Sequence, residues 1–315
     1  MSADTPIRVC TRGSLLARTQ CQWLIDKLSD ANPDLSFELV IVKTSGDVLS
    51  QSNQSGSVML DKGMFTKEIE EALLAGDADI AIHSLKDLPT LLPVGLKLGA
   101  IPEREDPRDA LIGPNGIMNM LRTAAGSVTI GTSSIRRKAQ LRAVFPGCKA
   151  VDIRGNVDTR LSKVTDGVVD AIILAAAGLN RLRRSTEITA LLDPSQMLPA
   201  PAQGALAIEI RENDPRIETI AATVNCSNTE ACTTAERSFL HALGSGCRAP
   251  VGALARITDK GLLLVGKVIS EDGSEIFEGR ASGSLNEAEA VGTQLAQELL
   301  TKGAGRILEA CRDKT

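Results

Sequence analysis

Two sets of residues in this chain have types and spacing suited to chemistry: one thiol in a glycine-rich turn, and arginines gathered where strands give way to helices. The thiol is Cys247, in Gly244-Ser245-Gly246-Cys247-Arg248. Glycines on either side bare the backbone around the sulfur. A cysteine so placed is a candidate nucleophile, although free cysteines also serve as small buried apolar residues. Neither histidine is placed as its base: His241 lies six residues earlier on a helix, and His83 reads as a strand-end structural residue.

Between Thr132 and Val164 stand eight basic residues, Arg136, Arg137, Lys138, Arg142, Lys149, Arg154, Arg160 and Lys163, against Asp152 and Asp158 alone. Arg136 and Arg137 follow the turn Thr132-Ser133-Ser134, and Arg154-Gly155-Asn156 opens the next helix. Helix starts favour anions through their backbone N–H groups and dipole. Arginine adds forked donors that match a carboxylate or phosphate. A polyanion site is the reading that covers several elements at once; a solvated basic helix face would not place Arg154 and Arg160 on a second helix. Lys86 and Asp87 follow a strand end, where an α/β sheet faces its ligand, and are candidates for chemistry or for a surface ion pair.

The elements that position these groups follow from periodicity. Strands are expected at Ile7 to Cys10, Phe37 to Val42, Asp79 to His83, Leu96 to Ile101 and Ala110 to Gly113, with helices from Ser14 to about Leu28 and from Phe65 to Ala75. The segment from Thr44 to Gly63 has no periodicity and reads as a mobile loop. A second α/β run spans Val128 to Arg184, with strands at Val128 to Gly131, Ala150 to Ile153 and Ala171 to Leu174. The two runs overlay: Cys10-Thr11-Arg12-Gly13-Ser14 on Gly131 to Ser134, and Gly76 to Ile82 on Gly167 to Ile173, with Asp87 opposite Gly178. A weak internal repeat predicts two similar lobes with a cleft between them. Pro199 to Gly204 breaks the pattern as a crossing segment. A strand at Ala205 to Ile210, helices to Leu243, three strands and one long helix from about Asn286 to Cys311 complete the chain.

Composition narrows the function. At 315 residues, 43% hydrophobic and 23% charged, this is a soluble globular chain of two or three domains. No apolar run approaches the roughly 18 residues of a membrane span, and Met1 to Pro6 lacks a signal-peptide pattern, so a cytoplasmic location is expected. Seven cysteines without a C-x-x-C pair argue against a disulfide framework or a zinc ribbon. Aromatic residues at 2% and a net charge of −4 exclude base-stacking platforms and a global attraction for nucleic acid. Neither a phosphate-binding G-x-x-x-x-G-K-[ST] loop nor a dinucleotide G-x-G-x-x-G turn is present.

Six ordered stretches resemble the porphobilinogen deaminase family: Ala81-Ile-His-Ser-Leu-Lys-Asp-Leu-Pro89, Glu103-Arg-Glu-Asp-Pro-Arg-Asp-Ala110, Gly131-Thr-Ser-Ser-Ile-Arg-Arg137, Arg154-Gly-Asn-Val-Asp-Thr-Arg-Leu161, Leu198-Pro-Ala-Pro-Ala-Gln-Gly204 and Gly246-Cys247. They run in order over essentially the whole chain. The resemblance implies an α/β fold of two periplasmic-binding-protein-like lobes plus a small α+β C-terminal domain. It divides the chain into residues 1–103 with 203–224, residues 104–202, and residues 225–315. It implies a dipyrromethane cofactor held by a thioether at Cys247, and head-to-tail condensation of four porphobilinogen molecules to hydroxymethylbilane with loss of ammonia. Asp87 matches the family's catalytic acid. The cofactor would also meet Ser84, Lys86, Thr132, Ser133, Ser134, Arg136, Arg137, Arg154 and Gly155. The substrate would meet Arg12, Ser14, Lys62, Arg154, Arg160, Arg181 and Gln203. Six rings would bring about twelve carboxylates into one site, which explains why cations are needed. A monomer acting on a small molecule is expected. A non-catalytic two-lobed anion receptor is the alternative. One departure is Leu60-Asp61-Lys62-Gly63, where the family shows a glycine-lysine-glycine run; Lys62 and Gly63 are kept.

Overall fold

The computed structural model describes residues 5–45, 66–123, 128–244 and 249–312. Contacts divide the chain into two compact units, residues 1–104 with 205–230, and residues 105–204 with 231–315. No helix among the described residues is long and apolar enough to cross a membrane.

The first unit is built on a sheet of β1 (Ile7–Arg12), β2 (Phe37–Val42), β3 (Ile80–Ser84), β4 (Leu96–Ala100) and β10 (Leu206–Arg211), in the order β2-β1-β3-β10-β4. β2, β1 and β3 run parallel, while β10 enters between β3 and β4 antiparallel to both. The helices Leu15–Ala31 and Lys67–Ala75 connect the parallel strands, burying Leu24, Ile25 and Leu28 on one face of the sheet and Ile69 and Leu73 on the other. Strands covered on both faces are mostly apolar, as β3 and β10 are apart from the buried pair His83 and Glu209 and the residues at their ends.

The second unit contains a sheet of the same construction. β7 (Cys148–Val151), β6 (Val128–Gly131) and β8 (Ala171–Ala175) are parallel, and β5 (Asp109–Ile112) lies antiparallel between β8 and β9 (Ala190–Leu191). The repeat reaches individual bonds. Asp79 accepts from the N–H of Arg8 at 2.9 Å and donates its own N–H to the Arg8 carbonyl; Asp170 does the same with Thr129, at 2.6 Å. Three residues before each aspartate, Gly76 and Gly167 close a helix with positive φ. The two lobes differ in the origin of the antiparallel strand, which follows lobe one in the chain as β5 and returns from lobe two as β10.

The same unit holds an antiparallel sheet of β11 (Val251–Thr258), β12 (Gly261–Ile269) and β13 (Ile276–Gly283), packed against helices Ser227–Ala242 and Ala288–Leu299. A Cβ on Gly292 would lie 2.3 Å from the Ala235 carbonyl, so glycine permits this helix pair to touch backbone to backbone. Three expectations need correction. The single helix to Cys311 is interrupted at Gly303, whose φ of 109° no helix accommodates, and resumes as Gly305–Arg312. The strand expected at Ala150 to Ile153 is Cys148–Val151, because Ile153 leaves the ladder to bond the Ser133 hydroxyl. A helix at Ile117–Thr123 forms, burying Ile117 and Leu121, where no element was expected.

Two glycine substitutions separate backbone strain from steric clash. Gly167→Ala meets open space and should cost only its positive φ, about 1 kcal/mol. Gly204→Ala adds a Cβ 2.4 Å from the Glu105 carbonyl and should cost more than about 3 kcal/mol. Equal urea midpoints for the two variants would show that this approach is not tight.

Candidate functional site

In the first unit, the carboxyl ends of β1 and β3 lie side by side, joined by the Thr11 hydroxyl donating to the Ile82 carbonyl at 3.1 Å. Arg12 ends β1, and Ser14 caps the next helix by accepting from the N–H of Ala17 at 3.3 Å. Ser84 ends β3 and donates from its hydroxyl to Gln20 at 3.2 Å. The chain then makes a single 3-10 turn, Leu85–Asp87, fixed by the N–H of Leu85 donating to the Ala205 carbonyl. Leu85 and Leu88 are buried, so the turn is anchored from both ends while Lys86 and Asp87 stay half-buried. His83 is buried, with Nε2 3.0 Å from Glu209 Oε2. This is ion-pair distance without the alignment of a hydrogen bond, so neither atom has a hydrogen-bond partner. His83 belongs to the core rather than to the turn.

In the second unit, the ends of β6, β7 and β8 gather the other predicted residues. Ser133 ties two of these ends together, donating to the Ile153 carbonyl at 2.7 Å and accepting its N–H at 3.1 Å. Ser134 caps the Ile135–Val144 helix, and the buried Thr132 hydroxyl accepts from the N–H of Ser134. Arg154 is exposed. Gly155 takes φ 112°, and a Cβ there would lie 2.6 Å from Thr159, so glycine is required to lead into the Val157–Thr165 helix. Arg160 Nε donates back to the Gly155 carbonyl at 2.8 Å. Arg181, last in the helix Ala176–Arg181, donates from Nη2 to the Gly204 carbonyl at 2.7 Å, and burial lowers its pKa to about 10. At that value it still carries its charge at neutral pH.

Arg136 and Arg137 do not stand as bare positive charge. Both are buried against Asp109, the first residue of β5, which is fully buried. Arg137 donates from Nε and Nη2 to Asp109 Oδ1 at 3.1 and 2.7 Å, and from Nη1 to the Ile173 carbonyl at 2.9 Å. Every nitrogen of its guanidinium is engaged. Arg136 uses Nη1 alone, donating to Asp109 Oδ2 and to the Leu198 carbonyl, both at 2.7 Å. Gln203 adds a donor to Asp109 Oδ1 at 2.8 Å. Burial pushes the Asp109 pKa up, but the two arginines outweigh it and hold the carboxylate well below its usual range. The charge balance read from residues 132–164 missed this acid because it lies 27 positions before Arg136, on another strand. The other cations also disperse: Lys138 pairs with Asp152 at 2.9 Å, and Arg142 donates to the Glu271 carbonyl.

Sequence reasoning also missed Glu236. Its buried carboxylate accepts from the N–H of Ala202 at 2.6 Å and of Ala255 at 2.7 Å. An acid among apolar helix positions was the available signal. Cys247, Lys62 and nearly all of the Thr44 to Gly63 loop lie outside the described residues. Among the described thiols, burial raises Cys10 and Cys21 to about 12, which leaves them inert at neutral pH.

The family described as "Porphobilinogen deaminase, dipyromethane cofactor binding domain" matches residues 7–219, and "Porphobilinogen deaminase, C-terminal domain" matches residues 230–301. The porphobilinogen deaminase of Moorella thermoacetica is 46% identical over 303 residues, 96% of each chain. That of Deinococcus radiodurans is 45% identical over 307 residues, 98% of this chain and 99% of its own, and that of Thermus thermophilus 43% over 305 residues, 96% and 98%.

Asp109→Asn leaves two buried arginines without their counter-charge and should cost about 3–5 kcal/mol in urea unfolding. The pH sign follows from the depressed pKa: the native carboxylate adds stability above about pH 4, and that stability is lost as pH falls through the lower native value. The variant should therefore show a shallower loss of stability below about pH 4; a slope equal to that of the parent would remove Asp109 from the acid transition.

Proposed function

The chain belongs to the porphobilinogen deaminase family, and from that premise we propose which of its side chains carry the reaction. Members are transferases of tetrapyrrole biosynthesis that join four porphobilinogen molecules head to tail, releasing ammonia, to give hydroxymethylbilane. A non-catalytic anion receptor is not favoured, since the match to named deaminases covers 96% or more of the chain.

The donor set fits a dipyrromethane, a group rich in carboxylates. Arg12 and Lys86 lie at or just past strand ends of one lobe, and in the other Arg154 follows β7 and Arg160 lies in the first turns of the next helix. When bound, the group supplies a pyrrole carbon on which the product chain is extended. Cys247 holds it through its sulfur. Arg136, Arg154 and Lys86 bind its carboxylates, with Arg137 holding Asp109 beside Arg136 and Ser84, Thr132, Ser133, Ser134 and Gly155 shaping the turns around them. Arg12, Ser14, Lys62, Arg160, Arg181 and Gln203 serve the incoming porphobilinogen. Arg136 is the better placed of its pair for a two-point contact, because its Nε and Nη2 have no partner among the described residues.

Asp87 does the acid–base work. A carboxylate stabilises the cation that develops as ammonia leaves and moves a proton onto or off the reacting carbon. The division into three domains, residues 1–103 with 203–224, residues 104–202, and residues 225–315, is part of the same proposal. The protein acts as a cytoplasmic monomer on a small molecule, without nucleic acid or membrane partners; its low aromatic content and its charge of −4 speak against a nucleic-acid partner.

The single observation that carries this reading is the full-length match to the two family domains. The mass of the denatured chain tests it: an adduct of two pyrrole units should be present and should vanish in Cys247→Ser. An active chain of unmodified mass would overturn the cofactor assignment. Asp87→Asn should keep the adduct yet lower kcat by a factor of about 100 or more; a near-normal rate removes Asp87 from the chemistry.

A further inference from the structure

The crossing segment Leu198–Gly204 is held in an unfavourable backbone conformation. Ala202 has φ 61°, in the left-handed region where a Cβ crowds the following carbonyl. Such a conformation persists only where surrounding bonds over-determine it. Those bonds are visible on both sides. Gln140 grips Leu198, accepting its N–H at 2.7 Å and donating to its carbonyl at 2.9 Å. Gln203 donates to the Pro107 carbonyl and to Asp109, both at 2.8 Å. Between them, Glu236 accepts the N–H of Ala202 itself.

Glu236 takes its two N–H bonds with different oxygens, Oε2 from Ala202 and Oε1 from Ala255 on β11. At 2.6 and 2.7 Å these are as short as charge-assisted bonds. An amide cannot replace this carboxylate, because one of the two N–H groups would then face an NH2. The acid lies on the Ser227–Ala242 helix, and Cys247 comes five positions after that helix in the sequence. A continuous path therefore runs from this helix through Ala202 and Gln203 to Asp109, and from there to Arg136 and Arg137.

We propose that Glu236 is a positioning residue for the arginine cluster, acting through the left-handed backbone of Ala202 to hold Gln203 against Asp109. The proposal rests on the reading of that cluster as a carboxylate site. It makes the helix leading to the anchor cysteine and the site that receives the anchored group parts of one bonded path. Without the acid, Ala202 relaxes toward negative φ and Gln203 leaves Asp109, which loosens the pair. Glycine occupies positive φ without strain, so it should make the acid dispensable at this point.

Three full-length variants test this. Ala202→Gly alone should raise Tm by roughly 1–3 °C with the adduct unchanged. Glu236→Gln should lower the fraction of chains carrying the two-pyrrole adduct and raise KM for porphobilinogen about fivefold, with kcat per loaded chain nearly constant. The double variant should recover both the adduct and KM. Unchanged loading and KM in Glu236→Gln would overturn the proposal. So would a double variant that regains Tm but neither loading nor KM, since Glu236 would then act by stability alone. If Glu236→Gln is insoluble, a soluble, loaded double variant supports the path and an insoluble one refutes it. A parent chain without adduct counts against the cofactor assignment, while the KM comparison still decides this one.

Discussion

A fully buried carboxylate at Asp109 ties together three separate stretches of this structure. Removing a charge from water costs several kcal/mol unless opposite charge and hydrogen bonds replace the solvent. Here Arg136, Arg137 and Gln203 all point at it. Meeting that requirement brings together the start of β5, the first turn of the Ile135–Val144 helix and the crossing segment. The crossing segment then runs against the preceding one, with the N–H of Glu105 donating to the Gly204 carbonyl and no room for a side chain at Gly204. The arginine pair is divided as a result: every guanidinium nitrogen of Arg137 is bonded to the fold, while Arg136 bonds through Nη1 alone among the described residues.

The two lobes use one construction for different ends. Parallel strands deliver their carboxyl ends to the same side of each sheet, where helix starts and turns collect polar groups. After β8 the chain goes directly into the Ala176–Arg181 helix, which brings Arg181 to the Gly204 carbonyl. After β3 it makes one 3-10 turn, pinned by two buried leucines, and presents Lys86 and Asp87. The acid is thus a feature of one copy of a repeated frame, and the difference is a single turn of backbone.

The C-terminal sheet is bonded into the second unit rather than merely tethered to it. The N–H of Ala253 donates to the Pro199 carbonyl at 2.9 Å, and Gly252 packs on Leu198 too closely for a Cβ. At its far edge, Gly273 lies against the backbone of Ala139 and Ala143, beside the bond from Arg142 to Glu271. Arg142, counted in the sequence among the cations of a polyanion site, is here structural, bonding the loop between β12 and β13.

Most elements were legible in the chain because local rules decide them: Ser14, Ser134, Asn156 and Asp214 cap helices where their side chains reach the first N–H groups. Gly76 closes a helix by its positive φ, and apolar runs mark strands buried on both faces. The repeat was visible as Gly76 to Ile82 laid on Gly167 to Ile173, and the family from six short motifs. The pairing of charges was not legible, since Asp109 meets arginines 27 and 28 residues away and Glu236 meets Ala202 at a distance of 34. Coulomb attraction and desolvation depend on distance in space, which only the packed chain defines. Sequence therefore decided which charges and caps exist; tertiary structure decided which of those charges pair with one another and are spent on the fold.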